Sequence, residues 1–234
     1  MLNESNVRIF RTANIESDSS LRIGRYKGDE KLAEKRIRRG DNQAFETEEI
    51  KRSTMEEKIV FKSGGLDLEG ILEINQDDIG VIITHPHPLY GGEMNNPVVQ
   101  TIANAYRNKG YSTLRFNFRG TGKSGGKHDN GIGEQDDLLA AISYMHERGI
   151  EGIDLSGYSF GTFVNAGAAR KGAGVRNMTM VSPPVASMDF GRPFHLPYLK
   201  LVITGGYDEI APVEFVKKTF VQWNPEAGFE VIEG

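Results

Sequence analysis

Apolar residues follow two contrasting patterns along this chain. Residues 1–54 are polar and charged, and they contain no long apolar run. From Met55 onward, short apolar runs alternate with segments in which apolar residues recur every three or four positions. Such runs are typical of buried strands, and the recurring spacing is typical of amphipathic helices. The change predicts a polar, charged N-terminal extension over residues 1–54 and a folded domain over residues 55–234.

The folded region is predicted to open with two antiparallel strands and then to alternate between helices and strands. Strands are predicted over 58–61, 66–72, 80–84, 111–118, 152–156, 175–181, 199–204 and 229–232, and helices over 96–108, 135–148, 160–170 and 213–220. Strands interleaved with helices of this length pair in parallel through right-handed crossovers. Continuous apolar strands fit a sheet that is covered on both sides. The pattern therefore predicts an α/β fold with a mainly parallel sheet and helices on both faces.

The extension carries one predicted helix, over residues 29–39, which ends at Gly40. The basic run 35–39 is compatible with nucleic-acid binding, but a solvated, mobile arm is the favoured interpretation. Met55 is also a possible second start point. We expect the extension to be dispensable for folding.

The composition narrows the classes of function. The net charge of −4 gives no electrostatic reason to expect nucleic acid as a partner. The absence of cysteine excludes disulfides, thiol catalysis and thiolate metal sites. The N-terminal residues lack the profile of a signal peptide, and no apolar run reaches the ~18–20 residues of a membrane span. We therefore expect a cytoplasmic protein that does not act at a membrane.

Two serines lie in G-x-S-x-G patterns, Ser124 and Ser159. Ser124 belongs to a glycine-rich loop with no predicted helix directly behind it. The Gly-Lys-Ser sequence at this point is also similar to the end of a phosphate-binding loop. That motif needs a glycine five residues before its Gly-Lys pair, and here the position holds Asn117. An NTPase is therefore disfavoured, and Ser124 is the weaker candidate nucleophile.

Ser159 differs from Ser124 in its flanks. The predicted strand 152–156 leads directly into it, and a predicted helix begins at Phe160. A serine on such a strand–turn–helix junction has the context of a nucleophile elbow. The N–H of Phe160 then lies at a helix N-terminus, where an oxyanion can bind. In the alternative interpretation, Gly157 and Gly161 serve only packing, and Ser159 is a helix cap.

A nucleophilic serine needs a base, a carboxylate that orients the base, and a second oxyanion donor. Asp208 follows Ser159 in the sequence and lies in the loop after the predicted strand 199–204. Open α/β sheets carry their chemistry at this end of the strands. Asp208 is therefore the predicted carboxylate, with Glu209 as a weaker substitute. The alternative is that Asp208 is an ordinary turn residue.

The second oxyanion donor is expected in the loop after the third strand, residues 85–92. Its prolines have no N–H, which leaves His87 and Leu89 as the nearest candidates. The closely spaced pair His85 and His87 could also suggest a metal site. No further cluster of metal-binding residues surrounds the pair in the sequence. We expect no metal, and both histidines are predicted to be loop scaffolding.

Three segments in order resemble the small α/β-hydrolases related to dienelactone hydrolase: HPHPLYGGEMNN at 85–96, LRFNFRGTGKS at 114–124 and GYSFG at 157–161. The resemblance spans residues 55–234. It implies the α/β-hydrolase fold, a serine nucleophile, hydrolysis of an ester-like bond in a small molecule, and no cofactor. Dienelactone hydrolase itself uses a cysteine where this chain has Ser159. This difference shifts the expected substrate toward general carboxyl esters.

The sequence departs from this pattern in its histidines. The resemblance implies a base in a loop just after the last strand, but all five histidines precede Asp208: His85, His87, His128, His146 and His195. We expect either a fragment of a longer polypeptide, which also lacks the final helix of the fold, or a protein that has lost its standard base. His195 could serve only in a rearranged triad. Loss of a triad member costs ~10⁴–10⁶ in kcat, so this chain is expected to be nearly inactive.

The leading interpretation is a serine hydrolase of the esterase type in its full-length form. A thioesterase or an acyltransferase would use the same groups. The segment 183–197 is the one lid-like stretch, and it is short, which favours an open pocket. The alternative is a non-catalytic binding or interaction protein that keeps the fold. The sequence does not predict the oligomeric state.

Overall fold

A computed structural model describes residues 56–75, 78–192 and 194–233. The predicted N-terminal extension, its helix and its basic run lie outside the described residues. No helix within the described ranges is both long enough and apolar enough to cross a bilayer.

The described residues form eight strands and four α-helices. The strands are β1 (Glu57–Ser63), β2 (Leu66–Glu73), β3 (Ile79–Thr84), β4 (Ser112–Phe116), β5 (Gly152–Tyr158), β6 (Met178–Val181), β7 (Leu199–Gly205) and β8 (Gly228–Ile232). The helices are α1 (Pro97–Arg107), α2 (Gly133–Glu147), α3 (Phe160–Arg170) and α4 (Val213–Trp223). Every predicted strand and helix of the folded region is present.

All eight strands belong to one sheet, in the order β1-β2-β4-β3-β5-β6-β7-β8. β2 pairs antiparallel with β1 and with β4, and all other neighbours are parallel. Each parallel connection contains a helix or a long loop, as parallel pairing requires. The mainly parallel sheet predicted from the alternation of elements is therefore confirmed, and with it the predicted fold class.

The sheet buries both of its faces. Successive side chains of a strand point to opposite sides, so adjacent residues report on different faces. Ile82 of β3 belongs to a large core cluster that it shares with residues of α2, α3 and α4. Its neighbours Val81 and Ile83 are equally buried but lie outside that cluster, and α1 contacts β3, β4 and β5. Helices on both faces therefore cover the sheet, as predicted.

The observed elements differ from the prediction at two points that matter for the site. β5 extends two residues beyond its predicted end because Gly157 pairs with Thr84 and Tyr158 pairs with Val181. The last strand residue is therefore immediately followed by Ser159. A short 3₁₀ helix, Pro88–Tyr90, was not predicted in the loop after β3.

Candidate active site

The register of the parallel strands brings three loops to one edge of the sheet. Thr84 at the end of β3 lies opposite Gly157 of β5. Tyr158 lies opposite Val181 of β6, and Val181 lies opposite Ile203 of β7. The loops after β3, β5 and β7 therefore emerge side by side. This is the edge at which open α/β sheets bind ligands.

Ser159 occupies a strained backbone position between β5 and α3. Its φ of 52° and ψ of −118° lie far from the left-handed well near ψ +47° that non-glycine residues with positive φ normally adopt. Its N–H donates to the Val181 carbonyl oxygen at 2.9 Å, and the side chain is partly exposed. Such strain costs about 1–3 kcal/mol and tends to be kept where function uses it.

The two glycines beside Ser159 are required by close packing. A β-carbon on Gly157 would lie 2.7 Å from the backbone nitrogen of Thr162 and 2.7 Å from the backbone carbon of Gly161. A β-carbon on Gly161 would lie 2.5 Å from the carbonyl oxygen of Thr84. The turn therefore folds back so tightly on α3 and β3 that neither position tolerates a side chain.

Buried polar side chains support this turn from the interior of the protein. The Thr84 hydroxyl donates to Asn165 Oδ1 at 3.0 Å, and both residues are fully buried. The Thr162 hydroxyl donates to the Ser159 carbonyl oxygen at 2.7 Å. These supporting residues were not predicted from the sequence. A threonine that ends an apolar strand and an asparagine inside an apolar helix face were the available signals.

Phe160 begins α3, so its backbone N–H has no acceptor within the helix. It lies at the positive end of the helix dipole, directly after the serine. The N–H can therefore stabilise negative charge that develops next to the Ser159 hydroxyl.

His85 anchors the start of the loop after β3. Its Nε2 accepts the Phe118 N–H at 3.1 Å, and its Nδ1 donates to the Pro86 carbonyl oxygen at 2.7 Å. Burial lowers the pKa of this fully buried imidazole to about 4, so it is neutral at pH 7. Both ring nitrogens are used inside the protein. This geometry is that of loop scaffolding, the role predicted for His85.

The two candidate donors in this loop differ in their partners. The Leu89 N–H donates to the His87 ring at Nδ1, 3.2 Å away. The His87 carbonyl oxygen accepts the N–H groups of Tyr90 and Gly92. Among the described residues, none accepts a hydrogen bond from the backbone N–H of His87. Of the two, His87 therefore has the N–H that is free for a ligand.

Asp208 lies in the loop after β7, as its place in the sequence implied. Its Oδ1 accepts the N–H groups of Ile210 at 3.0 Å and Ala211 at 2.8 Å. Burial and, next, the negative charge of Asp208 raise the pKa of Tyr158, the residue before Ser159. The Asp208 carboxylate is therefore close enough to interact electrostatically with the turn that carries Ser159. Within the described part of the chain, no histidine hydrogen-bonds to Asp208 or Ser159, and His195 is exposed.

A solved α/β serine hydrolase homologue from Coxiella burnetii is similar to this chain in sequence and in structure. It is 37% identical, with a TM-score of 0.71, over 76% of this chain and 87% of the other. The chain belongs to the α/β serine hydrolases. A Xanthomonas campestris protein, described as an α/β serine hydrolase without a lid, is 29% identical with a TM-score of 0.69. The similarity covers 77% of this chain and 84% of that protein.

A curated relative, an uncharacterised protein of Rickettsia prowazekii, is 34% identical over 141 residues. The matched part is 58% of this chain, and the chain spans 59% of that relative's length. No family model matches the chain.

The second G-x-S-x-G serine has a structural role in this hydrolase. Ser124 is buried, and its hydroxyl donates to the Asn117 carbonyl oxygen at 2.7 Å. Ser124 Oγ in turn accepts the Glu69 N–H at 3.1 Å. The hydroxyl therefore joins the loop after β4 to β2 and is not presented to a substrate.

The lid-like segment of the hydrolase packs onto its core. The Phe190 ring lies 4.8 Å from the Trp223 ring of α4, and the Leu196 N–H donates to the Trp223 carbonyl oxygen at 2.7 Å. Phe190 and Leu196 are both buried. Within the described residues, no group of three or more histidine, aspartate or glutamate side chains is arranged to hold a metal ion.

Proposed function

We propose that this α/β serine hydrolase cleaves carboxyl ester-type bonds of small molecules, with Ser159 as the nucleophile. The observation that carries the proposal is the strained backbone of Ser159 between two glycines that tolerate no β-carbon. The strained residue lies at the sheet edge, directly before the N-terminus of α3. Packing alone gives no reason to keep a serine in this conformation.

The proposed reaction proceeds through an acyl-enzyme. The Ser159 oxygen attacks the acyl carbon as a base removes its proton, and the carbonyl electrons move onto the oxygen. The N–H groups of Phe160 and His87 bind this oxyanion. The tetrahedral intermediate then collapses and expels the alkoxide, which takes the proton from the base. Water then attacks the acyl-enzyme with the help of the same base, and Ser159 is expelled as the acid is released.

Asp208 is proposed to orient the base through its carboxylate. Its Oδ1 is fixed by two backbone N–H groups, which makes the carboxylate a rigid acceptor. No histidine follows Asp208 in residues 1–234. For this polypeptide we therefore propose a kcat that is lower by a factor of ~10⁴–10⁶ than with a complete triad, unless a base is supplied from elsewhere.

The substrate is proposed to be small, because the short segment 183–197 is packed down on α4. The Xanthomonas campestris homologue, described as lacking a lid, supports an open site. Within this class the chain is proposed to be related to the dienelactone hydrolases, on the strength of its His85–Asn96 and Gly157–Gly161 segments. A thioester is attacked by the same groups, so esters and thioesters are both candidates.

The test is labelling with a small fluorophosphonate, with and without imidazole as an external base, followed by peptide mass spectrometry. We expect a label on Ser159 that imidazole accelerates. The matched controls are Ser159→Ala, which should abolish the label, and Ser124→Ala, which should keep it if the variant folds. A label on another residue, or none in the presence of imidazole, would reject Ser159 as the nucleophile.

A non-catalytic binding protein is the second candidate. The observation that favours it is that, in the described part of the chain, Asp208 bonds backbone N–H groups and no histidine. Binding of an uncharged ester analogue without any labelling of Ser159, even with imidazole, would support this alternative.

A further inference from the structure

Glu134 and His128 form a buried carboxylate–imidazole pair, which packs against His87 in the loop after β3. The Glu134 side chain, at the start of α2, has no solvent exposure, and the His128 side chain is 10% exposed. Glu134 Oε1 lies 2.7 Å from His128 Nδ1. The Glu134 carboxylate also accepts the N–H groups of Asp129 and Gly131, each at 2.8 Å. Glu134 is therefore firmly held by the backbone, and its carboxylate lies against one side of the His128 ring.

The pair costs free energy that an apolar contact would not. A carboxylate without solvent contact is tolerated only when it is paired and hydrogen-bonded, and well-packed apolar residues are often as stable. The inward positions further along α2 include the apolar Leu138 and Ile142, and also Asp137, which pairs with Arg119. The Glu134 carboxylate holds the turn before α2 through two backbone N–H groups, whereas the His128 ring nitrogens make no hydrogen bond that this turn needs.

The His128 ring packs against the rings of His87 and Phe160, two residues of the candidate active site. Its centre lies 4.7 Å from the His87 ring and 5.5 Å from the Phe160 ring, and those two rings are 4.9 Å apart. The three rings form a closed cluster. His87 and Phe160 are the residues whose N–H groups are the proposed oxyanion donors. One anchored ring therefore contacts the side chains of both donors.

The conformation of the loop also depends on a neutral His87 ring. His87 Nδ1 accepts the Leu89 N–H, so this nitrogen carries no proton and a protonated His87 would lose the bond. Burial and, next, the nearby His128 lower the pKa of His87, while Glu134 acts in the opposite direction. Burial, the largest of these effects, therefore favours the neutral ring that the loop requires.

We propose that Glu134 and His128 are positioning residues, which hold the His87 ring against Phe160 and so set the distance between the two oxyanion donors. This inference rests on the proposed function. It assigns no proton transfer to His128, whose ring lies against the Phe160 side chain.

The first test is a pair of single variants. His128→Asn keeps a polar side chain beside Glu134 but removes the ring, and Glu134→Gln keeps the shape but removes the negative charge beside the ring. We expect each variant to slow labelling of Ser159 at saturating imidazole by about tenfold or more, because loss of one oxyanion donor costs ~10²–10³. His146→Asn, at the other end of α2, is the matched control and should label as the parent does.

The second test does not depend on catalysis. The NMR signals of the His87 ring nitrogens and of the Leu89 amide should shift in both variants. Both sets of signals should stay unchanged in His146→Asn. Unchanged signals in a folded His128→Asn or Glu134→Gln protein would overturn the inference, as would an unchanged labelling rate. A parent protein that is never labelled rejects the proposed function instead, and the NMR measurement still decides the role of the pair.

Discussion

Gly161 approaches Thr84 so closely that a β-carbon on the glycine would lie 2.5 Å from the threonine carbonyl oxygen. Helix α3 therefore begins directly against the end of β3. This contact ties the serine turn to the strand that carries the candidate oxyanion loop. The relative position of Ser159 and His87 thus depends on the absence of one side chain.

Gly161→Ala is expected to move α3 away from β3. We expect the variant to lose about 1–3 kcal/mol of unfolding free energy, the usual cost of overpacking a dense interior. Labelling of Ser159 should slow as well, because the Phe160 N–H moves with the helix. Urea unfolding and the imidazole-assisted labelling rate measure the two effects. Gly174→Ala, where a β-carbon has open space, is the control and should leave both unchanged.

The turn itself could be predicted from the sequence, but its supports could not. The predicted and observed bounds of α3 agree because the glycine pattern marks the turn and the small apolar residues mark the helix. The bond between Thr84 and Asn165 joins residues that are 81 positions apart. Local periodicity carries no information about such a pairing. The same holds for His87 and His128, whose contact depends on how two loops fold over the sheet edge.

The loop after β3, residues 85–92, shows a second limit of prediction from local patterns. His87 and Leu89 were equal candidates because both follow a proline and both have an N–H. The 3₁₀ turn at Pro88–Tyr90 makes the difference, since it aims the Leu89 N–H at the His87 ring. Asp208, in contrast, could be placed from the sequence because the ends of parallel strands share one edge.

Thr84→Val tests the buried support of the turn. The variant keeps the shape of the side chain but leaves Asn165 Oδ1 without its donor in a site with no solvent access. We expect a loss of about 1–3 kcal/mol in unfolding free energy, the cost of an unsatisfied buried polar atom. Thr101→Val is the control, because that hydroxyl bonds a carbonyl oxygen at the surface of α1. Equal unfolding free energies for the two variants would contradict the role of Thr84.

His85 is expected to make stability depend on pH. Its pKa is about 4 in the folded protein and 6.5 in the unfolded chain, so the unfolded state binds the proton first as the pH falls. The contribution of neutral His85 to the free energy of unfolding is fully present above pH 6.5 and is lost as the pH falls from about 6.5 to 4. The difference between these two pKa values corresponds to about 3 kcal/mol of unfolding free energy. Urea unfolding from pH 7 to pH 4 measures it.

The contribution of His85 is separated from that of other groups by His85→Gln. This variant keeps hydrogen-bonding atoms in the loop but has no charge to gain. Its unfolding free energy should fall less steeply between pH 6.5 and 4 than that of the parent. Parallel curves for the two proteins would show that His85 does not carry the dependence. His87→Gln should have a smaller effect of the same sign, because burial also lowers the pKa of His87.

Asp208 should determine how well an external base works at Ser159. An imidazole molecule that bridges the two side chains donates one N–H to the carboxylate and accepts the serine proton at its other nitrogen. Asp208→Asn removes the charge that stabilises the resulting imidazolium. We expect imidazole to accelerate labelling of Ser159 in the parent, and the acceleration to fall by at least about tenfold in Asp208→Asn.

Asp189→Asn is the matched control for this measurement. Asp189 Oδ1 accepts the Gly191 N–H at 2.7 Å, so it fixes a loop as Asp208 does, but it lies in the segment between β6 and β7. The control should keep the full imidazole effect. If Asp208→Asn and Asp189→Asn respond equally, Asp208 only stabilises its own turn. If the Asp208 variant alone loses the effect, the carboxylate acts on the base, because the turn bonds made by Oδ1 are retained by the asparagine amide oxygen.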